Sequence, residues 1–262
     1  MIHVNNLIVR LGDRNILRGI NLDVKSRETL VVIGPSGHGK TVLIKSLAGL
    51  ICPEKGRIEF DGLNIVGLSR KKRLAFQKRC GFVFQDNALF DYLNIRENLS
   101  LYLRMHKVIG EKTILSRILE TIRKVGLESD VLNKYPEELS GGMKKRAAIA
   151  RSILKQPDYL FYDEPTLGLD SGNSEKVCVL IQSIQEQSAM TSVIVTHDLS
   201  LMKNIADRVA LLKYGRIQWC GRPEEVSEEM ILDFYEEKAK NTKDGGIRSK
   251  RSRDRRLIEH SA

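Results

Sequence analysis

The chain has 262 residues, of which 42% are hydrophobic and 29% are charged. This composition supports a sizeable core and excludes a collagen, a coiled coil and a wholly disordered chain. The formal net charge is +10, but nine Lys and Arg against three Asp and Glu lie between Lys238 and Ala262. Because the rest of the chain is only mildly basic, we expect no specific nucleic-acid partner.

Cysteine spacing and hydropathy limit the setting in which the protein works. None of the four cysteines, at positions 52, 80, 178 and 220, forms a Cys-x-x-Cys pair, which favours reduced thiols over zinc ligands. The first ten residues lack the pattern of a signal peptide, and no apolar run approaches the roughly 18 residues of a membrane span. We therefore expect any membrane role to come through partner proteins.

The N-terminal part of the chain predicts strands and one glycine-rich turn. Leu7–Val9 and Leu17–Val24 carry β-type residues around turn signals. Thr29–Ile33 is a continuous apolar run, as in a strand buried on both faces, and a helical pattern follows residue 41. Ile51–Val66 predicts a hairpin.

From about residue 86 to 155 the apolar residues recur at helical spacing, which predicts an inserted helical subdomain. Buried strands follow at Tyr159–Tyr162 and Ser192–Thr196, separated by a helix over about 174–187. A last hairpin is predicted at Val209–Trp219, and a terminal helix from Pro223 to about Lys240. Residues 1–240 are thus predicted to form one domain, and the charged residues 241–262 a basic, disordered tail.

The segment after the first buried strand fits the phosphate-loop pattern G-x-x-x-x-G-K-[ST]. Glycines let backbone N–H groups turn inward around phosphate oxygens, and the following helix directs its positive end at the same place. The lysine adds a full charge near the β- and γ-phosphates, and the threonine hydroxyl can bind Mg²⁺. The candidate phosphate-binding residues are Gly34, Pro35, Ser36, Gly37, His38, Gly39, Lys40 and Thr41.

Two acidic residues end the next buried strand. In a parallel sheet, a carboxylate at the C-terminal end of such a strand lies beside the phosphate loop. Asp163 is then placed to orient Mg²⁺ and its water ligands, and Glu164 to polarise an attacking water. The chain therefore has the parts of a nucleoside triphosphatase.

With these residues in view, the chain resembles the ABC-type ATPases over roughly residues 1 to 225. Leu139 to Gly142 resembles the signature motif of that family, and Leu169-Asp170 resembles its D-loop. The resemblance implies an α/β fold, a P-loop NTPase core with an N-terminal antiparallel β subdomain and an inserted α-helical subdomain. It also implies ATP and Mg²⁺ as cofactors, with Thr41, Gln85 and Asp163 serving the metal. The residues that it adds to the site are Gln85, Ser140, Gly141, Gly142, Asp170 and His197.

Each added residue has a role in the family. Gln85 resembles the glutamine that reaches toward Mg²⁺ and water, and His197 the switch histidine that contacts the γ-phosphate. In the family, the phosphate loop and signature of one chain are too far apart to share a nucleotide. The resemblance thus implies a homodimer with two ATP at the interface, in which Ser140 acts in trans.

The chain departs from the family at the adenine site. Family members often stack adenine on an aromatic residue about two dozen positions before the phosphate loop, but no Phe, Tyr or Trp lies between Met1 and Ile33. Leu11 or the flat guanidinium of Arg14 are the alternatives. His38 stands where small residues are usual, and we interpret it as filling the loop.

The segment after Gln85 carries the clue to the partner. Family members dock a transmembrane permease there, so we expect docking near Gln85–Leu93. This segment and Gly141–Ala148 resemble ATPases of Mla/Mce-type lipid transporters, in which the permease is joined to an Mce-domain protein. The resemblance implies that the chain is bound to the permease at the cytoplasmic face of the inner or plasma membrane, as a peripheral subunit. The alternatives are an importer of amino acids or similar small solutes, and a soluble ABC ATPase such as an iron–sulfur assembly factor.

Overall fold

The computed structural model describes residues 1–106, 110–232 and 234–235. The chain divides into two compact units, Met1–Glu225 and Val226–Ala262. The strands of the first unit are β1 (Ile2–Leu11), β2 (Arg14–Val24), β3 (Thr29–Ile33), β4 (Lys55–Phe60), β5 (Leu63–Asn64), β6 (Cys80–Val83), β7 (Tyr159–Asp163), β8 (Thr191–Thr196), β9 (Arg208–Lys213) and β10 (Arg216–Gly221). Its α-helices are α1 (Lys40–Leu47), α2 (Arg70–Lys78), α3 (Ile95–Met105), α4 (Glu111–Lys124), α5 (Gly141–Ile153), α6 (Ser171–Gln187) and α7 (Leu199–Ile205).

An antiparallel sheet in the order β2-β1-β4-β5 contains the N-terminal strands. β1 begins at Ile2, five residues before the predicted Leu7–Val9, because its register with β2 shifts between Val4 and Leu7. Asn6 has a φ of 46° there, and its N–H donates to Asn21 Oδ1 at 2.8 Å. This bulge interrupts the alternation of buried and exposed residues along β1, which weakens the strand signal before Leu7.

The second sheet has the order β10-β9-β3-β8-β7-β6, with only β10 antiparallel to its neighbour among these six strands. The parallel strands bring the C-terminal ends of β3, β7 and β8 to one edge, where the phosphate loop, the acidic pair and His197 follow. Phe60 of β4 packs against Phe76 and Tyr159, with ring centroids 4.6 and 4.7 Å away, so the core joins the two sheets.

β6 was not predicted from the sequence. It has four residues, and one of them is Gly81, which weakens the strand signal. A Cβ on Gly81 would lie 2.6 Å from Leu160 Cδ1 of β7, so the glycine permits the close approach of the two strands. The short α7 was also not predicted.

Helices α3, α4 and α5 lie in the range 86–155, where the sequence predicts a helical subdomain. Asn94 begins α3 with a capping box, in which its side chain accepts from Glu97 N and Glu97 accepts from Asn94 N. The basic run Arg70–Arg73 at the start of α2 is exposed to solvent.

The prediction that the terminal helix begins at Pro223 is wrong. Pro223–Glu225 forms a single 3₁₀ turn. In the second unit, residues 228–232 are helical, and Ser227 accepts a hydrogen bond from Met230 N at 3.0 Å. Ser227 is a favoured capping residue, which explains why the helix begins after it. The predicted tail, residues 241–262, lies outside the described residues. In the described part of the chain, every helix is too short or too polar to cross a bilayer.

Candidate active site

The phosphate loop connects the fully buried β3 to α1. Gly37 and Gly39 have φ values of 80° and 107°, which only glycine adopts without strain. A Cβ on Gly34 would lie 2.2 Å from the carbonyl oxygen of Leu212, so the loop also needs glycine at its start. The sequence pattern is therefore dictated by backbone geometry.

Lys40 is buried and directed at the loop itself. Its Nζ donates to the carbonyl oxygens of Gly34 at 2.7 Å and Pro35 at 3.4 Å, and lies 3.2 Å from Glu164 Oε1. A buried ammonium group needs such partners because its desolvation is costly. The loop thus holds a positive charge next to the acid that follows β7.

Thr41 and Asp163 supply oxygen atoms at the base of the loop. The Thr41 hydroxyl donates to Asp163 Oδ1 at 2.9 Å. Burial raises the pKa of Asp163, while the hydrogen bond from Thr41 and the charge of Lys45 lower it. A hydroxyl and a partly desolvated carboxylate are the hard oxygen ligands that Mg²⁺ prefers, so these residues fit that ion.

Glu164 has a strained backbone and a fixed side chain. Its φ is 48°, which is uncommon for a residue with a side chain, and its N–H donates to Val195 O at 2.9 Å. The Oε2 atom accepts from His197 N at 3.2 Å and lies 2.9 Å from His197 Nδ1. The carboxylate is therefore held between Lys40 and His197.

A cavity of about 430 Å³ connects these groups. It brings together eight of the predicted site residues, and Asp163 joins them through Thr41. Ile16, Val42 and Leu167 also line it and were not predicted, since apolar side chains at these positions carry no sequence signal. The predicted residues lining the cavity are Ser36, Gly37, Gly39, Lys40, Thr41, Gln85, Glu164 and His197.

His38 contacts a different part of the chain. Tyr214 N donates to His38 Nδ1 at 3.0 Å, and the two ring centroids lie 4.9 Å apart. These residues and Arg14 line an adjacent cavity of about 620 Å³, which shares Ile16 and Gly37 with the first. Tyr214 is an aromatic residue beside the loop that sequence reasoning missed, because it lies 176 positions from His38 in the chain.

The signature and D-loop residues form a separate cluster. Ser140 caps α5 by accepting from Met143 N at 3.3 Å, and Asp170 caps α6 by accepting from Asn173 N at 2.9 Å. A Cβ on Gly142 would lie 2.6 Å from Asn173 Oδ1, so the two helix N-termini pack closely. None of these four predicted residues, Ser140, Gly141, Gly142 and Asp170, lines the cavity at the phosphate loop.

A buried lysine on α5 was also missed. Lys145 is 1% exposed, and its Nζ donates to the carbonyl oxygen of Gln85 at 2.8 Å. Burial lowers the pKa of Lys145 to about 8, against the opposing charges of Asp86 and Asp163. In sequence, this residue lies in a basic run that looks like an ordinary exposed helix face.

Comparison with known proteins assigns this fold and site to a family. Residues 17–167 match the ABC transporter family. The chain is 35% identical over 250 residues to the intermembrane phospholipid transport system ATP-binding protein MlaF of Haemophilus influenzae, covering 95% of this chain and 94% of that protein. It is also 35% identical over 233 residues to the sulfate/thiosulfate import ATP-binding protein CysA of Synechocystis sp., covering 88% of this chain and 63% of that protein.

A solved structure has the same fold. It is a dimeric ATP-binding cassette in a post-hydrolysis state bound to ADP and Pi, with a TM-score of 0.79 and 29% identity. The match covers 85% of this chain and 99% of that chain. The chain therefore belongs to the ABC transporter family. It is an ATP-binding ATPase and the energy-supplying subunit of a transporter, which confirms the family and fold predicted from the sequence.

Proposed function

We propose that this ATPase drives transport of phospholipid or another hydrophobic cargo, together with an Mce-type system. The observation that carries the proposal is the similarity to MlaF, which extends over 95% of this chain and 94% of that protein. A match over nearly the full length of both chains includes the segment after Gln85, where a cargo-specific partner would dock.

In the proposed mechanism, Lys40 and the backbone of the phosphate loop hold the ATP phosphates. Thr41, Gln85 and Asp163 would hold Mg²⁺, and the ion would supply positive charge to the phosphate oxygens. Glu164 polarises the attacking water, for which its position between two nitrogen groups is suited: Lys40 Nζ lies 3.2 Å from one oxygen and His197 Nδ1 2.9 Å from the other.

His197 contacts the γ-phosphate in the same proposal. It is half-exposed and lines the cavity with Lys40 and Gln85, so its ring is accessible to a bound nucleotide. Its backbone and Nδ1 both face Glu164, which leaves Nε2 for the phosphate. His197 thereby connects the acid to the phosphoryl group that the water attacks.

We further propose that two copies of the chain form the complete sites. Ser140, Gly141, Gly142 and Asp170 lie outside the cavity of their own chain, although a helix N-terminus with a serine and two glycines is suited to phosphate. In a head-to-tail homodimer the signature of one chain would contact the ATP held by the other. The solved cassette with the same fold is dimeric, which supports a dimer of this chain.

The proposed docking surface for the permease is the segment Gln85–Leu93. Phe90 and Tyr92 are 40% and 75% exposed, and their ring centroids lie 5.8 Å apart. Asn98 of α3 fixes the backbone beneath them, because its side chain accepts from Phe90 N and donates to Phe90 O. Docking here would hold the chain at the cytoplasmic face of the membrane.

A second candidate is an importer of a small solute. The similarity to the sulfate/thiosulfate import protein CysA has the same 35% identity, although it covers less of each chain. Both functions use the same ATPase chemistry and differ in the partner and cargo.

The two candidates are separated by isolating the complex. The Glu164→Gln chain would be captured with ATP from native membranes in mild detergent, with Lys40→Ala, which is expected to bind nucleotide weakly, as the control. Mass spectrometry would identify proteins and lipids. A permease with an Mce-domain protein and bound phospholipid supports the proposal. A permease with a solute-binding protein overturns the lipid cargo and supports the second candidate. Soluble partners alone overturn the membrane assembly and favour a soluble assembly factor.

A further inference from the structure

The segment that carries Gln85 is hydrogen-bonded to helix α5. It extends from the end of β6, and its carbonyl oxygens are turned toward α5. Ser152 Oγ donates to Phe82 O at 2.8 Å. Lys145 Nζ donates to Gln85 O at 2.8 Å and to Phe84 O at 3.4 Å. Side chains of α5 thus donate hydrogen bonds to the carbonyl oxygens of this segment, as the N–H groups of a neighbouring strand would do in a sheet.

Arg151 continues the same pattern about 1.7 turns after Lys145 on α5. Its Nη1 donates to Ala88 O at 2.6 Å and its Nη2 to Asn87 O at 3.1 Å. Asn87 and Ala88 have φ values of 66° and 48°, so the backbone reverses sharply where the guanidinium binds it. The rigid fork of an arginine fixes both carbonyls in one geometry.

Lys145 is the member of this group closest to the chemistry. Its side chain is 1% exposed, and a buried cation is costly unless hydrogen bonds compensate it. Here these bonds go to backbone carbonyls, one of them that of Gln85 itself. Lys145 also lies on the helix that Ser140 caps, little more than one turn after that residue.

We propose that Lys145 is a positioning residue for Gln85: it ties the Gln85 backbone to α5, the helix that Ser140 caps. In the proposed dimer, Gln85 serves the ATP bound by its own chain and Ser140 contacts the ATP bound by the other chain. The bond from Lys145 then holds these two residues as one rigid unit. A movement of either site is transmitted through Lys145 to the other. The proposal rests on the role proposed above for Gln85.

A double-mutant cycle on the full-length chain tests this coupling. Lys145→Met removes the donor and keeps an unbranched side chain, and Lys144→Met, on the same helix but partly exposed, is the matched control. The kcat and the Mg²⁺ concentration for half-maximal hydrolysis are measured in both, in Gln85→Ala and in the double variant. Equilibrium ATP binding and thermal unfolding are measured alongside.

Lys145→Met is expected to lower kcat by about 10- to 100-fold, the scale of a positioning error of about 1 Å. It should raise the Mg²⁺ requirement and leave ATP affinity unchanged. In the Gln85→Ala background it should change kcat by less than about twofold, because its effect passes through Gln85. Lys145→Arg should regain most of the activity. If Lys145→Met does not fold, Lys145→Leu, which also lacks a donor, takes its place.

Two results overturn the proposal. One is a kcat and Mg²⁺ requirement in Lys145→Met equal to those of Lys144→Met. The other is a double variant whose loss is the product of the two single losses. A Gln85→Ala chain with normal kcat is a different failure: it removes the role proposed for Gln85, and with it the action of Lys145 through that residue.

Discussion

Thr41 and Asp163 are 122 positions apart in the chain, and a hydrogen bond of 2.9 Å joins their side chains. The bond connects the first turn of α1 to the last residue of β7. It therefore aligns the two oxygen groups that we propose as Mg²⁺ ligands.

Removing this pair should impair the use of Mg²⁺. Asp163→Asn is expected to lower kcat and to raise the Mg²⁺ concentration for half-maximal hydrolysis, each by about 10- to 100-fold. Thr41→Val, which keeps the shape and loses the hydroxyl, should act in the same direction, whereas Thr41→Ser should not. A magnesium titration of ATP hydrolysis measures this, and a Thr41→Val chain that behaves like Thr41→Ser would refute it.

Glu164→Gln should retain ATP and hydrolyse it slowly. The amide keeps the shape but cannot accept a proton, so hydrolysis is expected to fall by about 10²- to 10⁴-fold, the usual contribution of a general base. Equilibrium binding of labelled ATP and single-turnover hydrolysis measure the two effects separately. Near-normal turnover would show that another group activates the water.

A mixing experiment tests whether the sites are shared between chains. Lys40→Ala damages the phosphate loop and Ser140→Arg damages the signature, so each homodimer should be inactive. When the two chains are mixed equally, half of the dimers are mixed and each has one intact shared site. Activity should return to about a quarter of wild type if the sites work independently. An inactive mixture whose mixed dimers are verified by tagged pull-down contradicts sharing.

Two tyrosines of β7 should respond oppositely to loss of their hydroxyl groups. Tyr162 is fully buried, and its hydroxyl has no hydrogen-bond partner in the described part of the protein. Tyr159 donates to Asp61. Tyr162→Phe should raise the free energy of unfolding by about 1 kcal/mol, and Tyr159→Phe should lower it by about 0.5–1.5 kcal/mol. Urea denaturation measures both, and equal destabilisation by the two changes would be contrary to the expectation.

Asp61 should make the free energy of unfolding of the protein depend on pH in the acidic range. Hydrogen bonds from the Met1 amino group, Tyr159 and Arg79 lower the pKa of Asp61 to about 2. An unfolded Asp titrates near about 3.9, so the folded chain gains stability above that pH and loses it as pH falls toward 2. Asp61→Asn should therefore destabilise the protein at pH 7 and less so at pH 3.

The fully exposed Asp13 provides the control for this comparison, since among the described residues its ion pair is with Arg10 at 3.3 Å. Asp13→Asn should change the urea midpoint little at either pH. A deficit in Asp61→Asn that is as large at pH 3 as at pH 7 would exclude this account.

The sequence predicted the parts of this site that are contiguous in the chain. Gly34 to Thr41 and the Asp163-Glu164 pair are local patterns whose chemistry requires those residue types at that spacing, so the structure brings them together as expected. The buried runs of β3, β7 and β8 were predicted for the same reason, because parallel strands covered on both faces are continuously apolar.

The parts that escaped prediction depend on contacts between distant segments. Tyr214 lies beside the phosphate loop only because the turn between β9 and β10 packs against β2, where Arg18 N donates to Gly215 O at 2.8 Å. Lys145 is buried only because the carbonyls of residues 84 and 85 turn toward α5. Neither contact leaves a periodic signal in the sequence, since each requires the folded geometry.

The left-handed backbone at Glu164 has a consequence for how this position can change over time. A glycine there would adopt the same φ without strain, but it would leave the buried Lys40 Nζ without the carboxylate that now lies 3.2 Å away. An uncompensated buried charge costs more free energy than one strained residue, so the pairing with Lys40 outweighs the backbone strain. The carboxylate at position 164 is therefore favoured by the stability of the phosphate loop, independently of any part it has in hydrolysis.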